Sequence, residues 1–330
     1  MTIIMRHREY SLDYIRVLAC LMIVLMHSPM PGLGTSGMVL SGISYLTAPG
    51  IGLFFMVSGA LLLKVQDGQT FYTRKFLQRR FFKIFVPVVF WTLWGWGLEQ
   101  LGIKNAESSI LWFMYCLAGL YLLTPVLLRW LYSASVREIE FYLLLWLLTL
   151  CVPFLKIKMT VNEGDTSWLY YFHGYVGYYV LGHYLQHWSN SDRALIGKYK
   201  RFFLSLAVCF SVAIPFLFIQ FKVEADFYQI FWYLSITVAS QCVVWWMMLK
   251  KFAFSLTKQP TFMLQLSKLS FGVYLVHILI MRNVLWQTSW MQNMNGGVQI
   301  GVCTILTFVL SVLVCWGISK IPYVKAIIGY

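Results

Sequence analysis

Residues 10–63 read YSLDYIRVLACLMIVLMHSPMPGLGTSGMVLSGISYLTAPGIGLFFMVSGALLL, and from Val17 to Leu63 they contain no Asp, Glu, Lys or Arg. A membrane-crossing helix needs about 20 predominantly apolar residues, so this stretch has room for two. The run from Asn283 to Ser319 is equally free of charge. Over all 330 residues 59% are hydrophobic and 12% charged, whereas soluble domains carry roughly 25% charged residues. That composition excludes a soluble fold, a disordered chain and a secreted disulfide scaffold. The chain reads as an all-α, polytopic transmembrane helix bundle.

With turn residues and charges as punctuation, hydropathy places about ten spans, at 12–28, 46–63, 84–101, 109–131, 141–155, 168–187, 202–221, 229–249, 269–286 and 298–319. The residues left over form short loops and tails, so 1–330 is expected to be a single integral-membrane domain with its chemistry in the helices or their connections. Lysine and arginine orient the bundle, because cytoplasmic loops carry an excess of both. With both termini cytoplasmic, twenty-one fall inside, from Arg6, Arg8 and Arg16 through the run Lys64–Lys83 to Lys320 and Lys325. Four fall outside (Lys104, Lys156, Lys158 and Lys222), and Arg282 lies near the outer end of the ninth span. The net charge of +14 is then an orienting signal, and nucleic acid need not be invoked. The seven cysteines lie in apolar runs without a C-x-x-C pair and read as small, buried, reduced residues. The first apolar run reads as a retained span, not a cleaved signal. The Gly/Ser/Pro-rich stretch Ser28 to Tyr45 reads as a re-entrant or capping loop.

Ionisable side chains inside a span are costly and call for a reason. The first span holds Asp13, Arg16 and His27. Arg16 and His27 are eleven residues apart, which brings them to one helix face about 16–17 Å apart along the axis. Asp13 can pair with Arg16 at i,i+3. One reading has Arg16 snorkelling to the inner headgroups and His27 resting at the outer interface. The other is a polar passage with a general base at its far end. In the second span, Ser58 and Gly59 lie about 9 Å short of Lys64, close to the depth of Arg16. Small residues there serve close helix packing or the passage of a narrow ligand. The basic segment Arg74 to Lys83, with Arg79 and Arg80, is amphipathic and suits either anionic lipid or a phosphorylated cytosolic ligand.

Trp112 opens the fourth span at the outer interface, and Tyr121 and Pro125 lie deeper. His277 sits in mid-span, with Arg282 towards the outside. His183 and His187 have metal-ligand spacing but no Glu or Cys to complete a set, so no metal site is expected.

Five of these segments, in this order, resemble the acyltransferase family 3 membrane proteins, which transfer acyl groups to surface polysaccharides and related acceptors. They are Leu12-Asp13-Tyr14-Ile15-Arg16 with His27; Phe54-Phe55-Met56-Val57-Ser58-Gly59-Ala60-Leu61; Arg79-Arg80-Phe81-Phe82-Lys83-Ile84-Phe85-Val86-Pro87; Leu111-Trp112-Phe113 with Tyr121 and Pro125; and Ser270-Phe271-Gly272-Val273-Tyr274-Leu275-Val276-His277. The resemblance covers essentially the whole chain. Lys83 stands where the family usually has arginine, and no appended soluble domain is expected. The resemblance implies a multi-pass protein of the bacterial inner membrane that uses acyl-CoA, most often acetyl-CoA, as co-substrate and holds no bound cofactor. Its phosphates would lie near Arg79, Arg80 and Lys83. The pantetheine arm would pass Arg16, Ser58, Gly59 and Tyr121 towards His27. His27, with Arg16 and Asp13, would be catalytic, and Trp112, His277 and Arg282 would face a saccharide or lipid-linked glycan acceptor. A secondary transporter is the alternative. It lacks a carboxylate at membrane depth after Asp13 other than Glu99, near a span end, and shows no matching pair of broken helices. A scaffold leaves Asp13, Arg16 and His27 on one face unexplained.

Overall fold

The computed structural model describes residues 9–33, 37–64, 73–102, 111–155, 169–220, 232–256 and 260–330. It is helical throughout, with no strand among the described residues. The helices are α1 (Tyr10–His27), α2 (Gly37–Thr47), α3 (Pro49–Leu62), α4 (Thr73–Gln100), α5 (Trp112–Ser133), α6 (Val136–Leu155), α7 (Val176–Trp188), the short α8 (Leu195–Lys198), α9 (Lys200–Gln220), α10 (Ile236–Phe254), α11 (Thr261–Ile280), the short α12 (Ser289–Gln292) and α13 (Gly296–Ser319). Each of the ten expected spans falls on one or two of them. Seven helical segments are long and apolar enough to cross a membrane by themselves: those at 10–27, 39–62, 74–100, 112–133, 200–217, 261–285 and 296–319. The other three expected spans are α6, α7 and α10. Arg6, Arg8, Lys104, Lys156, Lys158, Lys222 and Lys258, used in orienting the chain, lie outside the described residues.

The stretch Ser28 to Tyr45 is not a loop throughout, as its composition suggested. Gly37 onward forms α2, which meets α3 at Ala48, where Pro49 takes the first turn of α3. Proline is favoured there because its missing N–H is one of the unpaired donors of a helix start. Val39, Leu40 and Leu46 are exposed on α2; lipid can cover them, so glycine and serine here did not prevent a helix. The basic segment before the third span is helical as well. It is the first part of α4 and runs straight into the span.

The centre of the bundle is α1, which packs against α2, α3, α10, α11 and α13. Against α3, α7 is buried from Gly177 to Leu185. A helix surrounded by protein can be apolar on all sides. Its 13 residues span about 20 Å, and the 3₁₀ turn Tyr170–Phe172 precedes it. The contact of α7 with α3 is close. A Cβ on Gly59 would lie 1.8 Å from the Tyr179 carbonyl oxygen, and one on Gly182 would lie 2.0 Å from that of Met56. Only glycine fits between backbones at that distance. At the lipid-facing extreme is α9, whose spanning window is 6% buried. Cys209 is exposed on it, unlike Cys20, Cys242, Cys303 and Cys315, which are buried as expected.

Candidate active site

Two polar clamps fix α1 at its ends. At the first, Asp13 is buried and accepts a 2.6 Å hydrogen bond from the Ser267 hydroxyl of α11. A carboxylate in such surroundings needs partners, since its desolvation is otherwise uncompensated. Two turns on, the Cys20 thiol points to the Ser270 carbonyl at 3.4 Å. At the other end, the fully buried Gln299 of α13 donates to the Ser28 carbonyl at 2.8 Å and accepts from the Met30 N–H at 3.3 Å. Thr304 donates to the Ser28 hydroxyl at 2.9 Å. The residue after His27 is thereby pinned to α13.

His27 is half-buried and meets His277 of α11, with ring centroids 5.2 Å apart. His27 Nδ1 lies 2.8 Å from the Ile23 carbonyl, and His277 Nδ1 lies 2.6 Å from that of Tyr274. A carbonyl oxygen only accepts, so both Nδ1 atoms carry the proton in the neutral rings. His277 Nε2, 3.4 Å from His27 Nδ1, then accepts as a second, weaker partner. His27 Nε2 retains its lone pair, which is the form a general base requires. Beyond His277 the backbone loosens into a π-turn, Met281–Leu285, where Arg282 lies over the Trp286 ring at 5.5 Å. Such single π-turns inside α-helices are frequent at functional sites.

At the Arg16 end lies a cavity of about 450 Å³. Four cationic side chains line it: Arg16 from α1, Arg80 and Lys83 from α4, and Lys268 from α11. No carboxylate side chain does so among the described residues. Like charges gathered around one space are stabilised by an anion, and arginine forks match phosphate oxygens in particular. The Arg80 guanidinium sits 5.7 Å above the Tyr121 ring. Tyr121 shares a hydrogen bond with Ser58, and both line the cavity with Phe54 and Phe113.

From there, aromatic rings continue towards the histidines. Phe113 packs on Tyr274 at 5.1 Å between centroids, and Tyr274 on His277 at 5.8 Å. Trp112 stacks against Tyr175 and Tyr233, and the Tyr233 hydroxyl reaches the sulfur of Met26, next to His27, at 3.3 Å.

Of the residues singled out in the sequence, Arg16, Ser58, Arg80, Lys83 and Tyr121 therefore share one cavity, and His27 and His277 share one contact. Gly59 is instead pressed against α7. The side chain of Arg79 lies outside the described residues. Among the described residues, no group of three His, Cys, Asp or Glu side chains is arranged to hold a metal ion. Sequence reasoning missed Lys268, which counted only as an orienting charge, and Gln299. It also missed the segment after α13. There Trp91 donates to the Ile327 carbonyl at 2.9 Å, and Gly329, at φ +66°, packs where a Cβ would strike the Phe271 ring. Gly329 and Tyr330 thus form part of the cavity wall.

Comparison with known proteins adds one finding. A family model described as an acyltransferase domain, that of acyltransferase family 3, matches residues 9–319. No curated protein and no solved structure matches the chain.

Proposed function

The chain belongs to acyltransferase family 3, and from that premise we propose that it is an O-acetyltransferase of the bacterial inner membrane. It takes its acyl group from cytosolic acetyl-CoA and places it on a hydroxyl of a surface or lipid-linked saccharide at the outer side. The observation that carries this reading is the pairing of a four-cation cavity at one end of α1 with an imidazole base at the other.

In this reading the Arg16 end faces the cytoplasm. Arg80, Lys83 and Lys268 hold the phosphates of CoA, and the pantetheine arm passes Arg16, Ser58 and Tyr121 into the bundle. Gly59 acts indirectly, by letting α3 approach α7 so that Ser58 is correctly placed. His27 Nε2 removes the proton from the acceptor hydroxyl as its oxygen attacks the thioester carbonyl. The C–O bond forms and the C–S bond breaks. The proton on His27 passes to the departing CoA sulfur, which regenerates the neutral ring. Asp13 and Arg16 hold the polar end of α1, while Trp112, His277 and Arg282 surround the acceptor.

Equilibrium binding of CoA to purified protein tests the donor half of this reading. CoA should bind saturably, dephospho-CoA more weakly, and Arg80→Ala protein at least tenfold more weakly than the wild type. Equal affinity of wild type and Arg80→Ala protein for CoA would refute the assignment of the cavity.

A further inference from the structure

The Asp13 end of the bundle holds a second and larger concavity, of about 960 Å³, between the start of α1, the end of α7, the start of α9 and the end of α10. Its wall has two chemistries. Lys200, Lys250 and Lys251 bring three ammonium groups to it. Two of them have neutral acceptors: Lys250 Nζ donates to the Gln186 carbonyl at 3.3 Å, and Lys200 Nζ to Asn190 Oδ1 at 2.9 Å. Glu9 is the one carboxylate in the wall among the described residues, and the Gln186 amide already donates to it. Beside these and the polar Ser11, Ser189 and Asn190, the wall has an apolar part, some of it turned outward. Leu204 belongs to the lipid-facing α9, and Met248 and Phe254 are 55% and 93% exposed.

A soluble anion would leave the exposed Met248 and Phe254 in water, and a neutral lipid would leave three lysines facing the single carboxylate of Glu9. Ammonium groups at helix ends above outward-facing apolar side chains fit a molecule with a phosphate at one end and hydrocarbon at the other. We propose that this concavity binds one anionic phospholipid, with its phosphate between Lys200 and Lys250 and an acyl chain lying over Leu204 and Met248. The site is separate from the four-cation cavity and does not depend on its assignment. Its ligand would also touch Tyr10 and Ser11 in the first turn of α1. That helix start already has Glu9 as its N-cap and Asp13 in its first turn, so the phosphate lies on the lysine side and the contact with α1 is through Tyr10 and Ser11. The lipid would therefore brace the helix that carries Arg16 and His27.

The test is titration of delipidated, detergent-purified protein with phosphatidylglycerol, phosphatidylcholine or glycerol 3-phosphate, read by native mass spectrometry and by thermal unfolding. Phosphatidylglycerol should give a single retained adduct and a higher unfolding temperature, and the other two should give neither. The double variant Lys200→Gln/Lys250→Gln should weaken binding about 30-fold, the effect of removing two ammonium groups from an anionic headgroup. Arg129→Gln/Lys320→Gln, which removes two exposed charges elsewhere, should change it less than twofold. Met248→Glu, at an exposed position, gives a second route to the same loss. Equal binding of phosphatidylcholine, equal binding of glycerol 3-phosphate, or equal loss in both double variants would each overturn the proposal.

Discussion

The contact between the two histidines yields a quantitative test of their division of labour. His27 is held in its tautomer mainly by the 2.8 Å bond to the Ile23 carbonyl, which belongs to its own helix. His277 Nε2 adds a second acceptor at 3.4 Å, beyond the 2.7–3.2 Å range of good N–H hydrogen bonds. A typical hydrogen bond contributes about 0.5–1.5 kcal/mol net, and one this long belongs near the lower end. At about 1.4 kcal/mol per decade, losing it should cost about two- to fourfold in kcat. Removing the base itself should cost about 10²–10⁴-fold. His277→Leu keeps most of the buried volume and removes the acceptor, so it should fall in the smaller range with donor KM unchanged. His277→Gln, which can present an amide oxygen near the position of Nε2, should recover most of the activity. The assay is steady-state acetyl transfer in proteoliposomes, normalised to folded protein. If His277→Leu abolished turnover as completely as His27→Ala, His277 would take part in the chemistry itself, and the ranking drawn from the distances would be wrong.

Variants at four further positions probe other links. Gly182→Ala would put a Cβ 2.0 Å from the Met56 carbonyl oxygen, and such overpacking costs about 1–3 kcal/mol; thermal unfolding in detergent should show the loss, together with reduced yield. Arg80→Lys keeps the charge but loses the planar fork over Tyr121, so its donor KM should rise several-fold and that of Arg80→Ala further, whereas Lys83→Arg should leave it equal or lower; initial rates against acetyl-CoA concentration decide this. Gln299→Leu strips partners from the Ser28 carbonyl and the Met30 N–H, at about 1–3 kcal/mol for groups left unsatisfied; kcat should fall with donor KM unchanged, because the perturbation lies at the His27 end of α1.

The sequence carried those features that depend on period and depth. Eleven residues between Arg16 and His27 put both on one face of a helix, and arithmetic from Lys64 put Ser58 at the level of Arg16; the cavity contains Arg16 and Ser58 together. Contacts between distant segments were not legible in this way. His27 and His277 are 250 residues apart, and no local pattern says that α1 and α11 are neighbours. Gly59 was ambiguous for a physical reason: a ligand path and a tight helix crossing both call for a residue without a side chain, and only the position of Tyr179 shows which applies. Lys268 was hidden by its own usefulness, since a lysine near a span end is already explained by topology. The α2 helix was missed because glycine and serine signal loops in water, whereas a bilayer favours backbone that satisfies itself.

The central claim is that an acyl group enters at the Arg16 end of α1 and leaves at the His27 end. Membrane vesicles of both orientations, supplied with acetyl-labelled CoA and lipid-linked glycans, test it most directly when wild-type and His27→Ala protein are compared. Label should reach the glycan only with wild-type protein, and only where CoA has access to the cytoplasmic face. Undiminished glycan labelling by His27→Ala protein, or labelling that depends on CoA at the outer face, would contradict the account.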